Sequence, residues 1–96
     1  MKYFKWSKIG GNTFLGCKQL ESINIPSNVT MLGNKCFYDC NKLATIYLPK
    51  SVKEIGSDII STVDNLKIYY SGLESDYSLI LNESKEIIDK YIICKA

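Results

Sequence analysis

Residues 32–54 read LGNKCFYDCNKLATIYLPKSVKE, and their apolar pattern recurs on both sides at a spacing of 23 residues. Ile9-Gly10, Leu32-Gly33 and Ile55-Gly56 each open one such unit. Later positions of the units also match, namely Phe14, Phe37 and Ile60, then Cys17, Cys40 and Val63, then Leu20, Leu43 and Leu66. A period of this length is typical of stacked repeats. We therefore predict a solenoid in which each unit buries its inner face against its neighbours.

Each unit contains a short strand, predicted at residues 20–26 and 43–49. Ile23 and Ile25 alternate with polar residues, which is the pattern of a strand with one buried face. Pro26 ends the strand because proline has no N–H to donate to a neighbouring strand. A second extended piece follows in each unit. We expect the coils to stack about 4.8 Å apart as rungs of a parallel sheet.

The corners of each coil are predicted from glycines and from short polar segments. We expect Gly33 and Gly56 to adopt a positive φ, because the chain has to turn there. Segments 12–17 and 34–40 are too short for a full helix, and we expect one helical or 3₁₀ turn in each.

The repeats place the 96 residues in one domain. Residues 9–31, 32–54 and 55–73 form three repeats, and residues 1–8 match the second half of an incomplete one. Beyond residue 73 the apolar spacing changes to three and four residues, so residues 74–96 are predicted to form a cap of one or two short amphipathic helices. The predicted fold is an α/β repeat solenoid of about three coils, with parallel β rungs and a C-terminal helical cap.

The strand at residues 20–25 lacks a preceding rung, because residues 1–8 supply only half a unit. An unpaired strand edge is a template for pairing with another chain. Either Tyr3, Phe4 and Trp6 shield this edge, or a second chain covers it. A homodimer through residues 1–25 is therefore one expectation.

The charge pattern argues against a nucleic-acid partner. The net charge is +2, all twelve positive residues are lysines, and the chain has no histidine. Arginine is the usual residue for forked recognition of phosphate and guanine, so its absence disfavours that role.

The hydropathy pattern argues against insertion into a membrane. No apolar run approaches the roughly 20 residues of a membrane-spanning helix, and the first residues lack the apolar core of a signal peptide. We expect a cytoplasmic location for the sequence as it stands, or the cell surface or secretion if it is a fragment of a longer chain.

The repeat resembles that of the BspA-like leucine-rich repeat proteins, whose units run roughly Ile-Gly-x-x-x-Phe-x-x-Cys-x-x-Leu-x-x-Ile-x-Ile-Pro-x-x-Val. Residues 9–31 and 32–54 match at nearly every position, and residues 55–70 match a degraded form. The resemblance implies a short leucine-rich-repeat solenoid that recognises proteins. Family members include cell-surface proteins with roles in adhesion.

The cysteines are interpreted as packing residues. Cys17 and Cys40 share a repeat position, so we expect them to stack inside the solenoid as small hydrophobic residues. Their Cα atoms would be roughly 5 Å apart, which permits a disulfide, but a reduced pair is expected. Cys36 and Cys40 have a spacing found in zinc sites, yet only Cys17 and Cys94 could complete the set. We expect no metal and no other cofactor, and we expect Cys94 either to be exposed or to pack under the cap.

The sequence lacks the arrangements from which enzymes are built. It contains no histidine, no glycine-rich phosphate loop, and no serine or cysteine in a recognisable nucleophile setting. We therefore expect a protein without catalytic activity.

The outward positions of the predicted strands are the candidate protein-binding residues, because they alternate with the buried positions. They are Ser22, Asn24, Thr45, Tyr47, Lys67 and Tyr69. Tyr47 and Tyr69 lie one coil apart, so we expect them to be neighbours, with Tyr70 turned inward. Tyrosine is favoured at interfaces because it buries a large area and keeps a polar tip. A solvated sheet face without a partner is the alternative.

Two functions are consistent with these residues. The first is a non-catalytic protein–protein interaction module that uses the strand face to bind a partner of unknown identity. The second is structural, in which the chain assembles with itself through its N-terminal edge or forms the terminal fragment of a longer surface adhesin.

Overall fold

Residues 7–95, the part of the chain that the computed structural model describes, form eight short strands and two single-turn helices. The strands are β1 Lys8–Ile9, β2 Ser22–Asn24, β3 Met31–Leu32, β4 Thr45–Leu48, β5 Glu54–Ile55, β6 Lys67–Leu73, β7 Leu81–Asn82 and β8 Ile92–Lys95. The helices are α1 Glu74–Tyr77 and α2 Lys85–Ile88.

The strands form two parallel sheets, because each coil contributes one strand to each sheet. The first sheet has the order β1-β3-β5-β7, and the second sheet has the order β2-β4-β6-β8. The register pairs equivalent repeat positions, as in Ile23 with Ile46 and Ile46 with Ile68. The chain is thus a β-solenoid, which confirms the predicted fold class. It has about four turns, one more than predicted.

The fourth turn comes from the C-terminal segment, which is only partly helical. One or two short helices were expected, and two are present, α1 and α2, each four residues long. Between and after them, β7 pairs with β5 and β8 pairs with β6. The segment therefore continues both ladders instead of forming a purely helical cap. Because β5 pairs Glu54 with Leu81, the last step spans 27 residues instead of 23, and the extra length holds α1.

The described residues begin with β1, which belongs to the first sheet and pairs with β3. The Thr30 N–H donates to the Ser7 carbonyl at 2.6 Å, and the Gly33 N–H donates to the Ile9 carbonyl at 2.7 Å. Within residues 7–95, β2 pairs with β4 and with no other strand. The expectation that Tyr3, Phe4 and Trp6 shield this edge falls outside the described residues.

The inner positions of the repeat form one continuous core. Phe37 is 1% exposed and stacks on Phe14, with ring centroids 5.5 Å apart and planes 8° from parallel. Its other neighbour is Ile60, with which it forms a parallel β-bridge. The middle coil is thus packed on both sides, as its position in the repeat predicts.

The repeat glycines are required for close packing and not for positive φ, so that expectation was wrong. Gly33 and Gly56 are absent from the left-handed residues among those described, and Gly16 is the glycine found there, at φ 70°. A Cβ on Gly33 would lie 2.7 Å from the Gly10 carbonyl carbon and would also overlap the Gly11 nitrogen. A Cβ on Gly56 would lie 2.7 Å from the Asn34 nitrogen. These glycines allow the backbones of successive coils to approach each other.

Segments 12–17 and 34–40 are series of turns closed by hydrogen bonds between residues three apart, the bond that defines the single 3₁₀ turn we expected, and neither segment continues into a helix. The Leu15 N–H donates to the Asn12 carbonyl at 3.1 Å, and the Tyr38 N–H donates to the Lys35 carbonyl at 3.2 Å. Left-handed residues lie near both ends of each segment, at positions 12 and 16 in the first and 35 and 39 in the second, which prevents a helix from continuing. The positive φ values are 62° at Asn12, 59° at Lys35 and 52° at Asp58, one coil apart in each case.

Replacing Phe37 by alanine should remove the central contact of the core. We expect Phe37→Ala to lower the free energy of unfolding by about 3–5 kcal/mol, measured by denaturant titration. Tyr47→Ala should cost much less, because the Tyr47 side chain is 47% exposed. Equal losses in the two variants would contradict the inward and outward assignment.

Replacing Gly33 by alanine tests the close approach of the coils. The added Cβ meets the backbone of the preceding coil, which cannot move as a side chain can. We expect a loss of about 1–3 kcal/mol in the free energy of unfolding. Gly10→Ala is the matched control, since its Cβ would meet only Thr13 Oγ1, at 3.7 Å. A Gly33→Ala protein as stable as the control would show that the coils can separate without cost.

Candidate functional site

The second sheet brings all six predicted site residues to one face. The register aligns Ser22 with Thr45 and Lys67 in one row, and Asn24 with Tyr47 and Tyr69 in the next. Thr45 is half-buried, and the other five are exposed. The rows arise because outward positions repeat at the same point of every coil.

Two tyrosines dominate the second of these rows. The rings of Tyr47 and Tyr69 stack with centroids 5.6 Å apart and planes 19° from parallel. Tyr69 is 38% exposed, so both rings keep a large accessible area. Stacking on each other limits the rotamers of both side chains, so a partner would lose less entropy in ordering them.

A groove of about 970 Å³ runs along this row. Its walls include Asn24, Tyr47 and Tyr69 but not Ser22, Thr45 or Lys67. The structure therefore separates the six candidates into three that line the groove and three that lie beside it. The remaining walls include Pro26 and Pro49, which follow β2 and β4, and Ser71 and Lys95, which lie in the later parts of β6 and β8.

Among the groove residues that sequence reasoning missed are two outward residues of the last strand, Ile93 and Lys95. Ile93 pairs with Tyr69 and extends the tyrosine row by one coil, and it is 43% exposed. Both residues belong to β8, in the segment predicted as helical. The signal that could have found them is the spacing of 24 residues between Ile68 and Ile92, close to the repeat period.

The floor of the groove is held by buried aromatic residues. Tyr70 is 3% exposed and turned inward, as predicted. Its ring meets that of Tyr77 edge to face, with centroids 5.8 Å apart. This contact joins β6 to α1 beneath the exposed tyrosines.

A polar network holds the last coil together. The Tyr77 hydroxyl donates to Asp89 Oδ1 at 2.7 Å, and Lys85 Nζ donates to Asp89 Oδ2 at 2.6 Å. The Asn82 amide donates to the Tyr77 hydroxyl at 3.3 Å. The hydrogen bonds from Lys85 and Tyr77 lower the pKa of Asp89, whereas burial, followed by the Asp89 carboxylate, raises the pKa of Tyr77 well above its usual range. These bonds tie α1, β7 and α2 together ahead of β8, which supplies the last rung of the groove.

The four cysteines are free thiols. Cys40 packs beside Cys17 and its Sγ–H donates to the Phe14 carbonyl at 3.1 Å. Burial raises the pKa of Cys36 to about 12, and it also raises the pKa of Cys40 and of Cys94. Thiols in such surroundings stay protonated, which makes them weak nucleophiles and weak metal ligands. Cys94 is half-buried and lines the groove beside Tyr70.

Within residues 7–95, no group of three or more His, Cys, Asp or Glu side chains is placed to hold a metal ion. In the same described part of the chain, no helix combines the length and the hydropathy needed to cross a bilayer.

A family model described as BspA type leucine rich repeat region, with six copies, matches residues 4–71. The chain belongs to the BspA-type leucine-rich repeat family. The match covers the repeats that the two sheets share, including β2, β4 and most of β6. BspA-type repeats form modules that often take part in protein interaction, and they are typically without enzymatic activity. No curated protein and no solved structure matches this chain.

The Asp89 network predicts a pH-dependent contribution to stability. Because the pKa of Asp89 is lower in the folded chain, its contribution is present above the ordinary aspartate pKa of about 4 and is lost as the pH falls through the lower folded-state value. The Lys85–Asp89 pair is exposed, so we expect Asp89→Asn to cost no more than about 1 kcal/mol near neutral pH.

Denaturant titrations of the wild type and of Asp89→Asn between pH 7 and about pH 2 measure this difference. It should shrink as the pH falls below about 4. Asp64→Asn changes an exposed carboxylate outside the network and serves as the control. A difference between wild type and Asp89→Asn that stays constant with pH would mean that the charge of Asp89 contributes nothing.

Proposed function

We propose that this chain is a non-catalytic protein-interaction module that binds its partner on the outward face of the second sheet. The observation that carries this proposal is the row formed by Asn24, Tyr47, Tyr69 and Ile93 along the groove. The row is continuous over four coils and combines apolar area with hydrogen-bonding tips. Interfaces are enriched in such residues, and large aromatic side chains dominate their binding energy.

The charge of this face favours a partner segment that carries carboxylates. The outward residues of β2, β4, β6 and β8 include Lys67 and Lys95 and no acidic residue. The two lysines lie on opposite sides of the tyrosine row, since one precedes Tyr69 and the other follows Ile93 along the strands. A segment with an apolar side chain over the tyrosines and acidic residues beside it would satisfy both features. Binding of this kind weakens as salt is added.

The absence of catalysis is part of the same proposal. The chain has no histidine, and burial keeps the thiols of Cys36, Cys40 and Cys94 protonated. General acid–base or nucleophilic catalysis needs a group that titrates near the working pH or is activated by a base. The polar side chains of the groove are mainly tyrosine, amide, hydroxyl and lysine groups, which suit recognition.

The double substitution Tyr47→Ala and Tyr69→Ala tests the proposal. We expect this variant to lose at least about tenfold in affinity, since aromatic residues central to an interface commonly contribute over 1 kcal/mol each. Folding should survive because both side chains are exposed. The measurement is quantitative capture of partner proteins from the cell extract by immobilised wild type and variants, followed by titration of the captured partner.

Tyr38→Ala is the matched control, because Tyr38 is a half-exposed tyrosine on the turn side of the coil, where Lys35 Nζ lies 5.7 Å from its ring centroid. It should capture the same proteins as the wild type. If the double variant also binds them with unchanged affinity, the strand face is not the binding site.

A further inference from the structure

Among the described residues, the two end strands of the second sheet are each paired on one side only. Within residues 7–95, β2 pairs only with β4, and β8 pairs only with β6. Backbone groups on the open side of an edge strand are a template for another strand.

The open side of β2 is identified by its hydrogen bonds to β4. The Ile25 N–H donates to the Tyr47 carbonyl at 3.1 Å. Successive residues of a strand direct their amide groups to opposite sides. The amide groups of Ser22 and Asn24 therefore point away from β4.

The open side of β8 is identified in the same way. The Ile68 N–H of β6 donates to the Tyr91 carbonyl at 3.1 Å, so the amide groups of Ile92 and Cys94 point away from β6. Within the solenoid, inward residues of each strand bond to the next coil and outward residues bond to the preceding one. In β8 the inward residues have their backbone amides on the open side of the strand, and in β2 the outward residues do. These are the two sets of backbone groups that pair between neighbouring coils of the solenoid.

The side chains at the two ends match in the same register. The inner row runs Ile23, Ile46, Ile68 and Ile92. The two middle residues are 4% and 2% exposed, whereas Ile23 and Ile92 at the ends are half-buried. Each end therefore leaves an isoleucine of the same row without its second neighbour among the described residues.

Among the described residues, the less buried side chains of the first and last coils lie on the side of the second sheet. In the first coil, Phe14 and Leu20 are half-buried although their equivalents in the middle coil, Phe37 and Leu43, are each 1% exposed. On the other side of the same coil, Val29 is 0% exposed. In the last coil, Ile92 and Cys94 are half-buried, whereas Ile88 of α2 is 3% exposed.

We propose that copies of this chain associate head to tail, with β8 of one copy pairing in parallel with β2 of the next. Ile92 of the first copy then stacks on Ile23 of the second, and the second sheet continues across the contact. A second copy is the partner that fits, because the contact repeats the step by which the coils of one chain already pack. The contact is heterologous, so it leaves one open end on each side and propagates instead of closing as a two-fold dimer. It uses strand edges and leaves the tyrosine row accessible.

Proline substitutions at the two edges test this association. Ser22→Pro removes an N–H on the open side of β2, at the first residue of that strand, and Cys94→Pro removes an N–H on the open side of β8. Proline is tolerated at the first residue of a strand and on edge strands. Ser22→Ala and Cys94→Ala are the matched controls, since they alter the side chain and keep the amide. Far-ultraviolet circular dichroism and denaturant titration establish that each variant is folded.

Multi-angle light scattering over a concentration series measures the association. We expect the wild type and both alanine controls to grow beyond two copies as the concentration rises. Each proline variant alone should stay monomeric. An equimolar mixture of the two should form a dimer and no larger species, because it contains one working edge of each kind.

Three outcomes would overturn the proposal. They are a wild type that stays monomeric at every concentration, a wild type whose assembly stops at two copies, and proline variants that remain monomeric when mixed. If a proline variant loses its fold, Ile23→Lys and Ile92→Lys replace the pair, since each places a charge at one end of the inner row. Their expected and contradicting outcomes are the same as for the proline variants.

Discussion

The parallel ladder between equivalent residues is the constraint on which the rest of this structure depends. It holds successive coils about 4.8 Å apart, and it repeats the same bonds, as in Gly33 to Ile9 and Gly56 to Leu32. Every inner side chain must then fit its own equivalents in the neighbouring coils, which explains the stacked rings of Phe14 and Phe37. Outward side chains are free of that requirement, yet the ladder still aligns them. The exposed rows of the second sheet therefore result directly from the packing of the core.

The central coils could be predicted because each inner position recurs as an apolar residue in the neighbouring repeats. Phe37 has equivalents one unit away in both directions, so a chance match is excluded. The last coil lacks this redundancy, because its steps lengthen to 27 residues in the first sheet and 24 in the second. The buried residues around α1 and α2 also have helical spacing, at positions 77, 80, 84 and 88. The role of Gly33 could not be predicted either, since a glycine needed for φ and a glycine needed for space look alike in a sequence.

The part of the candidate site that could be predicted is the part that follows from the alternation of inward and outward residues along a strand. This alternation placed Tyr47 and Tyr69 side by side, and the two rings do stack. The groove depends on how the residues after β2 and β4 and the later parts of β6 and β8 surround the row, and that is a property of three-dimensional packing. Ile93 joins the row through the unpredicted strand β8. The identity of a partner is harder still to predict, because outward residues do not pack in the core of their own chain and so show no pattern that could be read from the sequence.

The left-handed residues of the turns determine where the surface of this molecule can change. Asn12, Lys35 and Asp58 are exposed, and all of them adopt a positive φ at the same point of the coil. Residues branched at Cβ are strongly disfavoured in that conformation. Substitution on the turn side is therefore limited by the backbone even where solvent leaves ample room. The strand face has extended backbone that accepts almost any side chain, so new binding specificities can evolve there at little conformational cost.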